Sequence, residues 1–131
     1  MPALIYSRRG YGQSDGLTGP REPSFMHVEA LEALPAVLQG LGVERPVLFG
    51  HSDGGSIALI HAGSNRWPVS GIVVLAPHVF VEACCLDAIR QSKVTYETTD
   101  LRDRLARYHD DPDSAFRGFH RDAYTTLPWP S

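Results

Sequence analysis

The sequence predicts an α/β protein: a partial, doubly wound parallel sheet of about three strands with crossover helices, followed by helical segments. Three apolar runs of strand length support this class, at residues 3–6, 45–50 and 69–78. The second and third runs are continuous rather than alternating, which is typical of strands that are covered on both faces. A helical pattern separates each run from the next, and strands that alternate with helices form parallel sheets.

The first helix is predicted to begin after Ser24, a good N-cap residue, because apolar side chains then recur at spacings of three and four. These side chains are Phe25, Val28, Leu31, Leu34 and Leu38. Pro35 should kink this helix, and Gly40 and Gly42 should end it. The stretch after Ser52 is predicted to be the second helix.

The chain beyond residue 79 is predicted to be helical without a further buried strand. Residues 79–92 have a helical composition, and Thr99 can cap a helix in which Leu101, Leu105 and Tyr108 share a face. The stretch Asp-Asp-Pro-Asp at residues 110–113 is predicted to be a turn. The last seven residues contain two prolines and are expected to fray.

The amino-acid composition argues against two classes of binding partner, nucleic acids and membranes. Twelve Lys and Arg against fifteen Asp and Glu give a net charge of −3, and the basic residues are scattered, so no nucleic-acid partner is expected. No run of about 18 apolar residues exists, so no membrane partner is expected either. Two adjacent cysteines, Cys84 and Cys85, do not form a zinc or redox motif. These features together favour a soluble, cytoplasmic protein.

The most informative stretch is Gly-His-Ser-Asp-Gly at residues 50–54, which follows a strand and opens a helix. This is the G-x-S-x-G pattern in the context that it requires, with Gly50, Ser52 and Gly54 at its defining positions. Such a sharp turn forces the serine into a strained backbone conformation, and only small neighbours avoid clashes. The hydroxyl is then exposed beside the amides of the following helix, where the Asp53 N–H can stabilise an oxyanion.

Three blocks in order, YSRRGYGQSDG, VLFGHSDGG and GIVVLAPH, resemble the α/β-hydrolase superfamily, in its serine-nucleophile branch, over about residues 3–79. The resemblance implies that residues 1–79 are the central part of a hydrolase core and residues 80–131 the start of a lid with a frayed tail. It also implies that Ser52 is the nucleophile, that the Asp53 backbone N–H contributes to the oxyanion hole and that His51 is an orienting neighbour. The expected activity is hydrolysis of a carboxylic ester or similar small acyl substrate through an acyl-enzyme, without a cofactor.

The acid and the base of a catalytic triad have no clear candidates in the sequence. The resemblance implies the order serine, acid, histidine, with the last two on loops after later strands. Within this chain Asp100 and His120 offer that order, and they are weak candidates because geometry rather than order defines a triad. The chain is therefore expected to be an incomplete hydrolase that aggregates or stays molten in isolation.

The same residues are compatible with other functions. The chain could be a non-catalytic truncated fragment without independent activity, or a carbon–carbon bond hydrolase or acyltransferase of the same fold. A cation site at His109, Asp110, Asp111 and Asp113 is not expected, because the spacing fails the calcium-loop pattern. A dinucleotide site at Gly10 and Gly12 is not expected, because no helix opens there. No metal is predicted.

Overall fold

A computed structural model describes residues 2–80 and 83–120 of the chain. These residues form two compact units, one of residues 23–80 and the other of residues 2–22 together with 83–120. The predicted tail at residues 125–131 lies outside the described residues. The assignment of residues 1–79 to a hydrolase core and of residues 80–131 to a lid stays a prediction.

The first unit begins with a helical run in three consecutive parts. Helix α1 (Phe25–Val28) is followed by a π-helix (Glu29–Ala33) and by helix α2 (Leu34–Gly40). The helix predicted after Ser24 is confirmed, and the disturbance expected at Pro35 takes the form of the π-helical turn immediately before it. Proline has no N–H and its ring crowds the carbonyl four residues earlier, so a wider turn accommodates it better than a regular α-helical one.

Gly42 ends this helical run with a left-handed turn. Its φ angle is 66°, its N–H donates to Gln39, and the N–H of Val43 donates to Leu38. This pair of bonds is the Schellman arrangement, which supplies donors to carbonyls that the helix leaves free. The predicted stop near residues 40–42 is therefore confirmed.

The sheet of this unit contains two parallel strands. Strand β1 (Val47–His51) leads through helix α3 (Asp53–Gly63) to strand β2 (Gly71–Leu75). The register pairs Val47 with Gly71 and His51 with Leu75. Helix α3 packs against both strands and against the helical run that precedes β1. The predicted α/β class with a crossover helix is confirmed.

The core lies on one face of the sheet. Ala30, Leu34 and Leu38 are buried against Ile57 of α3, and Leu48 packs at the edge of this cluster. The opposite face is apolar but open, and it consists of Val47, Phe49, Val73 and Leu75, all exposed. Phe49 is 71% exposed. The prediction that both strands are covered on both faces is therefore wrong for the described residues, because the helices of this unit pack against the other face.

The predicted strand at residues 3–6 is also wrong. These residues have no regular secondary structure, and Ile5 is 96% exposed. A strand requires a neighbour for its backbone hydrogen bonds, and no described strand pairs with this segment. The sheet therefore has two strands within the described residues instead of about three.

The second unit contains the predicted helical segments. They are α4 (Ala83–Thr98), α5 (Leu101–Leu105) and α6 (Pro112–His120). Asp100 rather than Thr99 is the N-cap of α5. The turn predicted at residues 110–113 is only partly correct, because Pro112 and Asp113 are already the first residues of α6. The Asp111 carboxylate accepts the N–H of Ser114 at 2.8 Å.

Three polar side chains and one aromatic stack tie these helices together. The Asp113 carboxylate of α6 accepts hydrogen bonds from the Tyr96 hydroxyl of α4 at 2.6 Å and from the Arg102 guanidinium of α5 at 2.7 Å. The Tyr96 ring stacks on Phe116 with 3.7 Å between ring centroids. Within the two described ranges, no helix has the length and apolar character needed to cross a bilayer.

Candidate active site

Ser52 occupies the turn between β1 and α3 with φ 54° and ψ −123°. Non-glycine residues rarely have positive φ, so this conformation persists only because its surroundings hold it. The Ser52 N–H donates to the Leu75 carbonyl of β2 at 2.9 Å, and the Ser52 carbonyl accepts from Gly55 at 2.9 Å and from Ser56 at 3.2 Å. The turn is therefore fixed to the second strand and to the first turn of α3.

The two glycines of the motif have different surroundings. A Cβ atom placed at Gly50 would lie 2.7 Å from the Gly55 nitrogen and closer still to the Gly54 carbonyl group. At Gly54 a Cβ atom would meet no described atom within 4 Å. The sequence-based expectation that both positions need small residues therefore has structural support at Gly50 alone, where strand and helix approach each other closely.

Asp53 is the first residue of α3, so its amide lies among the N–H groups that an α-helix leaves without an internal acceptor. The positive end of the helix dipole is at the same place. The Asp53 side chain is 18% exposed, and its Oδ1 atom lies 4.0 Å from Nε2 of His78. The partial positive charge of the helix N-terminus and the negative charge of the Asp53 carboxylate thus oppose each other at this site.

His78 is the functional candidate that sequence reasoning missed. Its Nε2 atom lies 2.8 Å from Oγ of Ser52, within hydrogen-bonding distance. His78 comes three residues after β2, whose carboxyl end is at the same edge of the sheet as that of β1. The signal was present in the sequence, because residues that follow adjacent parallel strands meet at one edge.

Ser56 of α3 fixes the backbone of His78 with two hydrogen bonds. The His78 N–H donates to the Ser56 hydroxyl oxygen, and that hydroxyl donates to the His78 carbonyl, each at 2.8 Å. Ser56 is buried, with 4% of its surface exposed. The imidazole next to Ser52 is therefore held through a short link to the same helix that Ser52 precedes.

A comparison with family models adds to this geometry. The model described as the alpha/beta hydrolase fold matches residues 3–124 of the 131-residue chain. The chain belongs to the α/β-hydrolase fold family. The match extends past the three blocks at residues 3–79 that suggested the family, and it includes the helices of the second unit. No curated protein shows significant similarity to the chain.

Proteins of the α/β-hydrolase fold family are generally hydrolytic enzymes. The roles of individual residues remain predictions. His51 is the last residue of β1 and is exposed, and its orienting role stays a prediction. Ser52 lies in the first unit of this α/β-hydrolase chain.

Asp100 and His120, the weak candidates for the triad acid and base, belong to the second unit. Asp100 is exposed at the N-cap of α5, and His120 is the last residue of α6, with a side chain outside the described part of the chain. A triad of these two residues with Ser52 therefore stays a prediction.

The polar residues at 109–113 have partners within the second unit. His109 Nδ1 accepts the N–H of Gly12 at 2.9 Å, and Asp113 binds Tyr96 and Arg102. Across residues 2–80 and 83–120, no group of three or more His, Cys, Asp or Glu side chains is placed to hold a metal ion.

Proposed function

We propose that this chain is a serine hydrolase that acts on a carboxylic ester or similar small acyl substrate through an acyl-enzyme on Ser52. The observation that carries the proposal is the Ser52 turn, in which a non-glycine residue with φ 54° joins a strand to a helix N-terminus. Strained backbone of this kind is concentrated at functional sites. Membership of a generally hydrolytic family supports the same reaction class.

The chemistry follows from the position of the hydroxyl. Attack of the Ser52 oxygen on an ester carbonyl carbon forms a tetrahedral intermediate whose oxygen carries negative charge. The Asp53 amide at the start of α3 is suited to donate a hydrogen bond to that oxygen, and the helix dipole favours the same charge. Expulsion of the alcohol leaves the acyl group on Ser52, and water then releases the acid. These steps require no cofactor.

A fluorophosphonate probe and a chromogenic short-chain ester test this proposal together. The probe should attach to Ser52, as located by peptide mass spectrometry, because attack of an activated serine on phosphorus displaces fluoride. The same protein should release 4-nitrophenol from 4-nitrophenyl acetate in repeated turnovers. Ser52→Ala should lose both signals.

Ser70→Ala is the matched control, because Ser70 lies in the same unit and its hydroxyl bonds the Arg45 carbonyl at 3.0 Å. This variant should retain labelling and turnover at the wild-type level. Folded wild-type protein that takes up no probe, or that takes it up equally after Ser52→Ala, would contradict the proposal.

A further inference from the structure

We propose that His78 is the base that takes the proton of Ser52, and that Ser56 is the positioning residue that holds His78 in place. This inference rests on the proposed function of Ser52 as a nucleophile. It assigns the base to the residue after the second strand of this chain, whereas the family resemblance implies a histidine on a later loop. The assignment comes from the contacts of three residues in one compact unit.

The side chains of Ser52 and His78 are close enough for direct proton transfer. The 2.8 Å between Ser52 Oγ and His78 Nε2 is within the range that proton transfer to a general base requires. The His78 side chain is 36% exposed, so the imidazole borders solvent from which a substrate can approach. Base and nucleophile are in contact before any substrate binds.

The imidazole of His78 can accept the Ser52 proton in only one of its two neutral tautomers. For Nε2 to accept the hydroxyl proton, the ring proton of neutral His78 must be on Nδ1. The Asp53 carboxylate lies 4.0 Å from Nε2, on the serine side of the ring, so it does not occupy the place of a triad carboxylate, which bonds Nδ1.

Ser52, His78, the ester and water together account for every proton and electron pair that moves in the reaction. As the Ser52 oxygen bonds to the acyl carbon, the hydroxyl proton moves to Nε2 and the carbonyl electron pair moves to oxygen. When the tetrahedral intermediate collapses, the bond to the leaving alcohol breaks, and that alcohol takes the proton from Nε2. Water then repeats the sequence in the second half of the reaction, and Ser52 regains its proton.

The backbone of His78 is held in place by Ser56. Ser56 bonds both the N–H and the carbonyl of His78, each at 2.8 Å, from the buried side of α3. Ser56 follows Ser52 by one helical turn, and its N–H bonds the Ser52 carbonyl at 3.2 Å. Because the base and the nucleophile are both tied to Ser56, their separation is set by a rigid helix end rather than by a loop.

The test measures the rate of fluorophosphonate labelling at Ser52 in wild type, His78→Ala and His78→Gln. Both variants should slow labelling by at least about 100-fold, because removal of a general base costs this much. Glutamine can keep a hydrogen bond to Ser52 but cannot act as a base. Slower labelling of His78→Gln would therefore be caused by the loss of proton transfer rather than by altered packing. Added imidazole should restore labelling of His78→Ala, where the side chain leaves space, and not of His78→Gln.

Ser56→Ala should slow the labelling step about tenfold or more while the saturation constant for the probe stays unchanged, because a small displacement of the base costs this much. Adding Ser56→Ala to His78→Ala should leave the imidazole rescue as it was, since free imidazole is not tied to the backbone of residue 78. A loss of rescue in the double variant would show that Ser56 supports the whole turn instead, and would overturn its positioning role.

His27→Ala, an exposed histidine of α1, is the control and should label at the wild-type rate. Equal labelling of wild type and both His78 variants would overturn the assignment of the base while the proposed function stands. Folded wild-type protein without any label would overturn the proposed function itself, and the assignment with it.

Discussion

His61 of α3 bonds the carbonyl oxygen of Ala30 through Nδ1 at 2.8 Å, and both residues are almost completely buried. The helix itself provides no donor for this carbonyl. The Leu34 N–H reaches back five residues to Glu29, and the next residue, Pro35, has no N–H. Because a carbonyl can only accept, His61 must carry its ring proton on Nδ1. The histidine therefore satisfies a buried polar group that the proline leaves without its helical partner.

Replacement of this histidine should be costly unless the donor is kept. His61→Leu should lower the free energy of unfolding by about 1–3 kcal/mol, because it leaves a buried carbonyl without a hydrogen bond. His61→Asn should lose less, since its amide nitrogen can reach the same carbonyl. Urea denaturation followed by circular dichroism measures both. Equal losses in the two variants would argue against the hydrogen bond as the cause.

Pro35 supplies a further check on the same contact. Pro35→Ala restores an N–H at position 35, which can bond Ala30 as the next step of the π-helical ladder. His61→Leu should then destabilise the Pro35→Ala protein less than it destabilises wild type. A double-mutant cycle measures this coupling, and strict additivity would contradict the explanation.

Gly50 and Gly54 should respond in opposite ways to the same substitution. Gly50→Ala should destabilise the fold by about 1–3 kcal/mol or displace the Ser52 turn, because the new methyl group would overlap backbone atoms of α3. Gly54→Ala should be neutral or stabilising, since its methyl group would meet open space and alanine favours a helix over glycine. Thermal denaturation of the two variants beside wild type measures the difference. A stable Gly50→Ala protein would show that strand and helix are less closely packed than described.

Ala76 is a second strained residue at the same edge of the sheet, with φ 46°. Ala76→Gly should therefore preserve or raise the free energy of unfolding, by up to about 1 kcal/mol, because glycine adopts positive φ without steric cost. Ala36→Gly, on the exposed side of α2, should lower it by about 1 kcal/mol, since glycine disfavours helix. Denaturant titrations under one set of conditions compare the signs. A loss at both positions would contradict the strain at Ala76.

Asp113 should make the stability of the helical unit sensitive to acid. Hydrogen bonds from Arg102 and then from Tyr96 lower the pKa of the Asp113 carboxyl from 3.8 to about 2. A lowered pKa stabilises the folded state above 3.8, and this contribution disappears as the pH falls toward 2. Wild type should therefore be more stable than Asp113→Asn at pH 6, and the difference should shrink between about pH 4 and pH 2. Urea midpoints at several pH values measure it.

Tyr96→Phe is the matched variant for this prediction, because it removes one hydrogen bond to Asp113 and keeps a ring that can stack on Phe116. In this variant the pKa of Asp113 should rise part of the way toward 3.8, as followed by carboxyl NMR shifts. The pKa of Tyr96 is itself raised to about 12, by burial first and by the bond to Asp113 second. A stability difference that does not change with pH would contradict the depressed pKa of Asp113.

The sequence predicted the parts of the fold that depend on neighbouring residues. The helix after Ser24 and the turn at Ser52 follow from local spacing and from glycine positions, and both strands of the sheet follow from continuous apolar runs. The first predicted strand, at residues 3–6, does not form, because pairing of this segment depends on a partner strand, which an apolar run cannot reveal. The prediction that Phe49 is buried was wrong for a similar reason, since the sequence does not show which face of a strand is covered.

Of the candidate site, the sequence predicted Ser52 but not His78 or Ser56. The position of Ser52 between a strand and a helix is a local pattern, so it was found together with Gly50. Its contact with His78 spans 26 positions along the chain and depends on the parallel register of β1 and β2. The role of Ser56 was hidden in the same way, because a small residue in a helix gives no sign that it holds the backbone of another segment.

The open apolar face of the sheet has a consequence for the behaviour of the protein in solution. This face consists of Val47, Phe49, Val73 and Leu75. Within the described residues, each of the two strands has one edge that pairs with no other strand. An unpaired strand edge can form backbone hydrogen bonds with an extended segment of another molecule, and exposed apolar side chains beside it strengthen that pairing. Self-assembly by this route increases with concentration, and the place to block it is the Phe49 side of the strand pair, where a charged side chain would act as a gatekeeper.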